Sequence, residues 1–331
     1  MQGDFFLTTW FLEAMRWLYE NIGSVFFTIL ISTVVLRGLT VFSDIKTRKS
    51  SMKMQAIQPE IQRLQKKYKD DPQRMNREQQ KLMKERGVSM WGSCLPMLIT
   101  MPLFFCFIAA FRFWGYEMTL RLITEEADQA MELFKSFKFL WVNNIWQPDN
   151  GLSAVVQSGQ SFLATPDLAN LLFLKDNTEV WQKLMDLGIA ARSYFVDNNG
   201  VMQQTYRFLT SESAIAAYNQ AVQPFLDLYA GYNNGWFILP ILSGVSQFFA
   251  SWLMQRNQPK TDNPAAGSGK MMMYIFPIMS FVFCLSYNAA FAIYWTLSSV
   301  LMLLVNLYMN KKYPMTPVVP AFAAFARHVL V

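Results

Sequence analysis

The chain has one histidine, His328 near its end, and three cysteines, Cys94, Cys106 and Cys284, none of them in a CxxC pair. A lone tail histidine supplies neither a zinc site nor the base for a membrane-embedded serine, and no HExxH occurs. The cysteines lie within or at the edge of apolar runs and read as inert buried thiols. No Gly-rich phosphate loop is present, so the chain has no means of powering transport with nucleotide. Charge is scarce as well: 16% of residues are Asp, Glu, Lys or Arg, against roughly 25% in an ordinary soluble domain. Asp and Glu are missing from the long apolar runs, which removes a two-aspartate intramembrane protease. The expectation is a protein that is not an enzyme, with no catalytic residue, cofactor or metal site.

What fills the chain instead is apolar: 53% of its 331 residues are hydrophobic and 15% aromatic. Several uncharged runs exceed eighteen residues, which defines an all-α integral membrane protein. The first run, Ile22–Phe42, is twenty-one residues long and holds one charge, Arg37. A guanidinium in such a span costs roughly 2.5–3.5 kcal/mol on insertion scales. Either it snorkels to the headgroups from near the inner end, or it faces a wet cavity between helices and binds something acidic.

Charge placement orients the chain. Asp44–Trp91 carries thirteen Lys or Arg and six Asp or Glu, whereas Gly115–Gly235 carries seven and thirteen. Basic loops stay in the cytoplasm, so the first segment is inside and the second outside. The expected order is an external interfacial helix (1–21), first span (22–43), cytoplasmic helical hairpin (44–90) and second span (91–113). An external segment with a helical insertion (114–235) leads to the third span (236–254) and a cytoplasmic loop (255–270). Met271–Met309 is thirty-nine uncharged residues, too long for one crossing. The polar Ser286–Asn288 divides it into a fourth span (271–287) and a fifth (289–309), followed by a cytoplasmic tail (310–331).

Within these segments, Phe6, Trp10, Met15 and Trp17 mark an amphipathic N-terminal helix rather than a secretory signal. In the hairpin, Met54, Ile57, Ile61, Leu64 and Tyr68 form one stripe, and Met75, Leu82 and Met83 the facing one. Asp70–Pro72 breaks the pair and Gly87 stops the second helix. The hairpin reads either as a solvated coil held near anionic lipid or as a docking surface. Phe134–Trp146 is expected to lie along the interface, and PDNG, ATPD and DNNG mark turns between short helices beyond it.

Polar residues inside the apolar runs are the candidate site. Thr33, Arg37 and Thr40 share one face of the first span. Thr100 lies in the second span, Ser243, Ser246 and Gln247 in the third, and Trp295, Thr296, Ser298, Ser299 and Asn306 in the fifth. Ser and Thr in membrane helices usually serve interhelical packing. Arg37 together with Gln247 is the stronger signal, because two costly groups in a small bundle point to a shared wet interior.

Arg37 is followed in order by IQPEIQRLQKKYKDDPQRMNREQQKLMKERGV, GSCLPMLITMPLFF, FLWVNNI, WFILPILSGVSQFF and MMMYIFPIMSFVFCL…AIYWTLSSV. This series resembles the YidC/Oxa/Alb membrane-protein insertase family, from about Gly23 to Trp146 and again from Asn234 to Tyr313. The resemblance implies five transmembrane helices around a hydrophilic groove, with its arginine at Arg37 and its last-span aromatic at Trp295. The groove glutamine of some members is nearest to Gln247, about one turn from the expected position. The implied substrates are nascent membrane proteins, with the lipid bilayer, Sec translocon, signal-recognition machinery and ribosome as partners and no DNA. It implies a multi-pass protein of the bacterial cell membrane, N-terminus outside and C-terminus inside. The external stretch near 150–233 is longer than usual, no lipoprotein cysteine or large domain precedes the first span, and the tail lacks a strongly basic stretch. The other functions open at this point are a small-solute or anion transporter using Arg37 as its site, and a scaffold subunit in which Arg37 pairs with a partner's acid.

Overall fold

The computed structural model describes residues 6–88, 91–166, 168–196, 199–256 and 265–312. They form eleven α-helices, two short 3-10 turns and one two-stranded sheet. The helices up to the external segment are α1 (Phe6–Ile22), α2 (Val25–Lys67), α3 (Pro72–Glu85), α4 (Trp91–Thr124) and α5 (Ala127–Ser136). Then come α6 (Gly159–Leu163), α7 (Thr178–Asp186), β1 (Ala190–Val196), β2 (Met202–Phe208) and α8 (Glu212–Leu228). The chain closes with α9 (Ile238–Arg256), α10 (Ala265–Ser286) and α11 (Ala289–Lys312). Two of the described helices, Pro102–Thr124 and Ala289–Met309, are long and apolar enough to cross a membrane; Val25–Val41, Ile238–Leu253 and Met273–Ser286 are shorter apolar helices. The expected tail beyond 312 and the middle of the 255–270 loop lie outside the described residues.

The chain divides into two compact units: Met1–Ser32, Phe104–Ser243 and Met279–Thr296 form the first, and Thr33–Leu103, Gly244–Ile278 and Leu297–Val331 the second. The five internal boundaries fall within α2, α4, α9, α10 and α11.

In the first unit, α1 turns Thr8, Phe11, Leu12 and Met15 inward, and Phe11 meets Phe107 of α4 with ring centroids 4.2 Å apart. Of the residues expected to mark this helix, only Met15 is buried; Phe6, Trp10 and Trp17 are exposed. Arg16 pairs with Glu117 of α4, whose second oxygen accepts from Arg121 at 3.0 Å. Glu117 is 1% exposed, and a carboxylate so far from water is tolerable because two guanidinium groups hold it. The helix carrying Glu117 runs to Thr124, past the expected end of the second span at 113, because Trp114, Met118, Leu120 and Leu122 keep supplying buried apolar contacts.

The aromatic stretch that begins in α5 packs inward. Phe134, Phe137, Val142, Ile145 and Trp146 are buried, with Phe134 against Phe225 of α8 and Trp146 against Trp114, so these side chains fill the protein's own core. The polar groups of the following turn organise the ends of two helices. Asp149, fully buried, accepts from the backbone N–H of Trp236, Phe237 and Leu239 at 2.6, 3.1 and 2.7 Å and from Trp141 Nε1 at 3.0 Å. It thereby caps the start of α9. Gly235 is required beside it: φ is +75°, and a Cβ there would fall 1.9 Å from Asp149 Oδ1. The expected turn at Ser286–Asn288 is present, for α10 ends at Ser286 and Asn288 Oδ1 accepts from Phe291 N at the start of α11.

The expected helical insertion is corrected in one part. Beside α6, α7 and α8 it contains an antiparallel hairpin, β1 with β2, in register from Ala190↔Phe208 to Val196↔Met202. Trp181 of α7 stacks on Tyr206 at 4.8 Å and packs on Phe208, pinning the base of the hairpin. Tyr194, Phe195, Val196, Val201 and Met202 toward its tip are all exposed, so the two-residue burial pattern stops short of the distal half of the hairpin.

In the second unit, the later part of α2 and α3 form the expected helical hairpin. Ile57, Ile61, Met83 and Val88 make a small core flanked by Met54 and Leu82. Asp71 caps α3 by accepting from Arg74 N at 2.9 Å, Pro72 occupies the first turn, and Gly87 follows the helix at φ +61°. Arg86 closes the pair through Glu60, at 2.9 and 3.1 Å.

Candidate functional site

Arg37 of α2 points at α11. Its Nε donates to Ser298 Oγ at 2.7 Å, and Nη1 lies 3.7 Å from Met302 Sδ. Both acceptors are uncharged, and no acidic side chain pairs with Arg37 among the described residues. A guanidinium has five N–H donors in a planar fork, so most of Arg37's capacity is left for another acceptor. Its side chain is half-buried. It therefore does not extend freely along the helix surface; it is held against a neighbouring helix with donors to spare.

The wall it meets repeats every four residues along α11: Ser298, Met302 and Asn306 share one face. Asn306 is buried, and its Nδ2 has no hydrogen-bond partner among the described residues. Ser299, one residue on, points about 100° away and donates to Gln247 Oε1 of α9 at 3.0 Å. The adjacent serines of α11 thus tie it to α2 on one side and α9 on the other. Every residue in this chain of contacts belongs to the second unit.

The remaining expected residues fall in different places. Thr33 is fully buried, one turn before Arg37 on α2. Thr40 Oγ1 donates to the Arg37 carbonyl at 3.1 Å, so its hydroxyl serves its own helix. Ser246 is half-buried on α9 beside Gln247. Thr100 is in α4, within the stretch whose side chains lie outside the described residues. Trp295 belongs to the first unit, where it packs on Phe104 at 4.9 Å and Phe291 at 5.8 Å as part of an aromatic cluster. Ser243, also in the first unit, accepts from Cys284 Sγ at 3.1 Å and donates to the Ser280 carbonyl, which is interhelical packing. Met302 carries no polar signal and was not anticipated; its i, i+4 relation to Ser298 is the one cue that would have found it.

A charged residue is thus held between apolar helices, near serines, a glutamine and an underused asparagine. The family described as 60Kd inner membrane protein matches residues 17–316. The chain belongs to this family, that of the YidC/Oxa/Alb insertases, and is an inner membrane protein. Among its relatives is the membrane protein insertase YidC of Clostridium perfringens, 35% identical over 148 residues, covering 45% of this chain and 53% of the relative. The protein of that name from Clostridium tetani is 31% identical over 134 residues, covering 40% and 53%. That of Granulibacter bethesdensis is 40% identical over 100 residues, covering 30% and 17%. The chain thus spans about half the length of its Clostridium relatives.

Proposed function

We propose that this protein is an energy-independent membrane-protein insertase. It takes a short hydrophilic, often acidic, segment of a nascent membrane protein into a hydrated groove and releases the adjoining apolar helix into the bilayer. The observation that carries the reading is Arg37, held between helices by Ser298 and Met302 with no carboxylate among the described residues to neutralise it. The names of the Clostridium relatives agree with it. An incoming carboxylate at 4 Å gains about 4 kcal/mol of Coulomb energy at an effective dielectric near 20. Water reaching the half-buried Arg37 spares part of the desolvation cost, and burial of the substrate helix in lipid drives the step forward.

In this reading five helices cross the bilayer, α1 lies at the outer interface with Phe6, Trp10 and Trp17 toward lipid, and the N-terminus is outside. The basic hairpin and the tail are cytoplasmic, where the hairpin receives substrates from the ribosome, the signal-recognition machinery or a Sec translocon. Gln247, Ser246, Ser299, Thr33 and Thr40 belong to the groove. No bond is made or broken, so the activity is non-enzymatic.

The test is nucleotide-free insertion of a short, phage-coat-like substrate into liposomes containing the purified chain. Arg37→Ala should lower insertion of substrates with acidic external tails about tenfold or more, Arg37→Lys should restore part of it, and neutral tails should be less affected. Normal insertion by a stably folded Arg37→Ala protein would overturn the electrostatic step. Solute flux without insertion would point to a transporter.

A further inference from the structure

A second cation lies far along the chain from Arg37, in the first unit. Arg112 of α4 opens onto a cavity of about 520 Å³ whose lining includes Tyr116, Trp146, Gln147, Gln157 and Tyr287. That volume is in the range of small-molecule sites, roughly 300–1,000 Å³. No Asp or Glu among the described residues lines it. Glu117, the nearest carboxylate in sequence, is occupied by Arg16 and Arg121. Arg112 itself donates to Tyr116 Oη at 3.2 Å and lies 5.8 Å from that ring's centroid, so the phenol holds the guanidinium in place without neutralising it.

The remaining lining is rich in hydrogen-bond capacity. Gln147 and Gln157 bring side-chain amides. A positioned guanidinium with neutral polar groups and no acid selects an anion, and arginine's fork suits the paired oxygens of a phosphate. The surrounding residue types narrow the source. Tyr116 and Tyr287 are of the aromatic type that concentrates at the headgroup level of membrane proteins, and Arg112 stands where the expected second span ends.

We propose that the Arg112 cavity binds the phosphodiester headgroup of an anionic phospholipid. Arg112 supplies the charge, the glutamine amides orient the headgroup, and the aromatic rings flank it. The site is separate from Arg37 and its occupancy does not require transport of a substrate segment, so it stands or falls independently of the insertase reading.

The full-length chain, delipidated in detergent, would be offered equal amounts of phosphatidylglycerol and phosphatidylcholine, and bound lipid counted by native mass spectrometry. Phosphatidylglycerol should be preferred, and Arg112→Gln should reduce that preference about tenfold, the effect expected for one charge-assisted hydrogen-bond pair. Arg112→Lys should keep only part of it, since it retains the charge without the fork, and Arg192→Gln, the comparison for a lost exposed cation elsewhere, should leave it unchanged. Equal retention of the two lipids, or an unchanged preference in a folded Arg112→Gln protein, would overturn the proposal. Displacement of the lipid by millimolar inorganic phosphate would make the ligand a free anion, and displacement by an acidic peptide would make it a polypeptide segment; either removes the lipid assignment.

Discussion

At the scale of single residues, Arg37 stands out in the sequence because a lone charge in twenty-one apolar residues has few explanations. Its neighbours were less legible: serines are common in membrane helices, and only three-dimensional placement separates Ser298, which meets the guanidinium, from Ser243, which packs two helices. Other residues become interesting only once buried. Tyr218 is fully buried in α8, stacked on Phe162 with centroids 5.1 Å apart, and its hydroxyl has no hydrogen-bond partner among the described residues. Desolvation pushes the phenol's pKa well above its ordinary value of 10.0. The folded state therefore resists losing this proton while the unfolded chain gives it up near pH 10, so this contribution to stability is intact below that pH and falls as pH rises above it. Tyr218→Phe should remove both an unsatisfied hydroxyl and the alkaline penalty, stabilising the fold by about 1 kcal/mol at neutral pH. Thermal unfolding at pH 7.5 and pH 10.5 checks both: the variant should melt higher throughout, and its margin over the parent should widen at the higher pH.

At the scale of elements, what was legible depended on whether neighbours elsewhere in the chain set the pattern. The apolar helices, the break at Asp70–Pro72, the stop at Gly87 and the turn at Ser286–Asn288 follow from local chemistry, and each is present. The β-hairpin was missed because its distal strands are exposed on both faces, leaving DNNG to be read as a turn between helices. The seat of α9 was also invisible, since Asp149 is eighty-nine positions before Ile238 and only folding brings its carboxylate to the helix start. Its contribution is testable. Asp149→Ala would leave the N–H groups of Trp236, Phe237 and Leu239 and the indole of Trp141 without their acceptor. A loss of about 3 kcal/mol is expected after local relaxation, read as a lower midpoint of thermal unfolding. Asp149→Asn keeps one acceptor oxygen and should cost less. Gly235→Ala should be at least as damaging as Asp149→Ala, because its Cβ would collide with the same carboxylate from a backbone already at φ +75°.

At the scale of the whole molecule, the unequal distribution of charge makes the strongest demand. The hairpin region is rich in Lys and Arg while Gly115–Gly235 is rich in Asp and Glu, and moving the basic segment across a bilayer would oppose both the membrane potential and the attraction of anionic lipid. In the proposed reading α2, α4, α9, α10 and α11 each cross once, an odd number, which puts the chain ends on opposite sides. An even number of true crossings would return the tail to the side of α1 and leave a basic segment outside. Single cysteines placed in exposed turns separate these cases: Lys69→Cys in the hairpin bend and Gly200→Cys in the β1–β2 turn, in a protein carrying Cys94→Ser, whose buried Cys106 and Cys284 are poor competitors for reagent. In intact cells a membrane-impermeant maleimide should label Gly200→Cys and spare Lys69→Cys, and opening the membrane should expose Lys69→Cys. Labelling of Lys69→Cys from outside intact cells would overturn the proposed sidedness. It would also remove the route by which a cytoplasmic segment reaches Arg37, whatever the local geometry of that arginine.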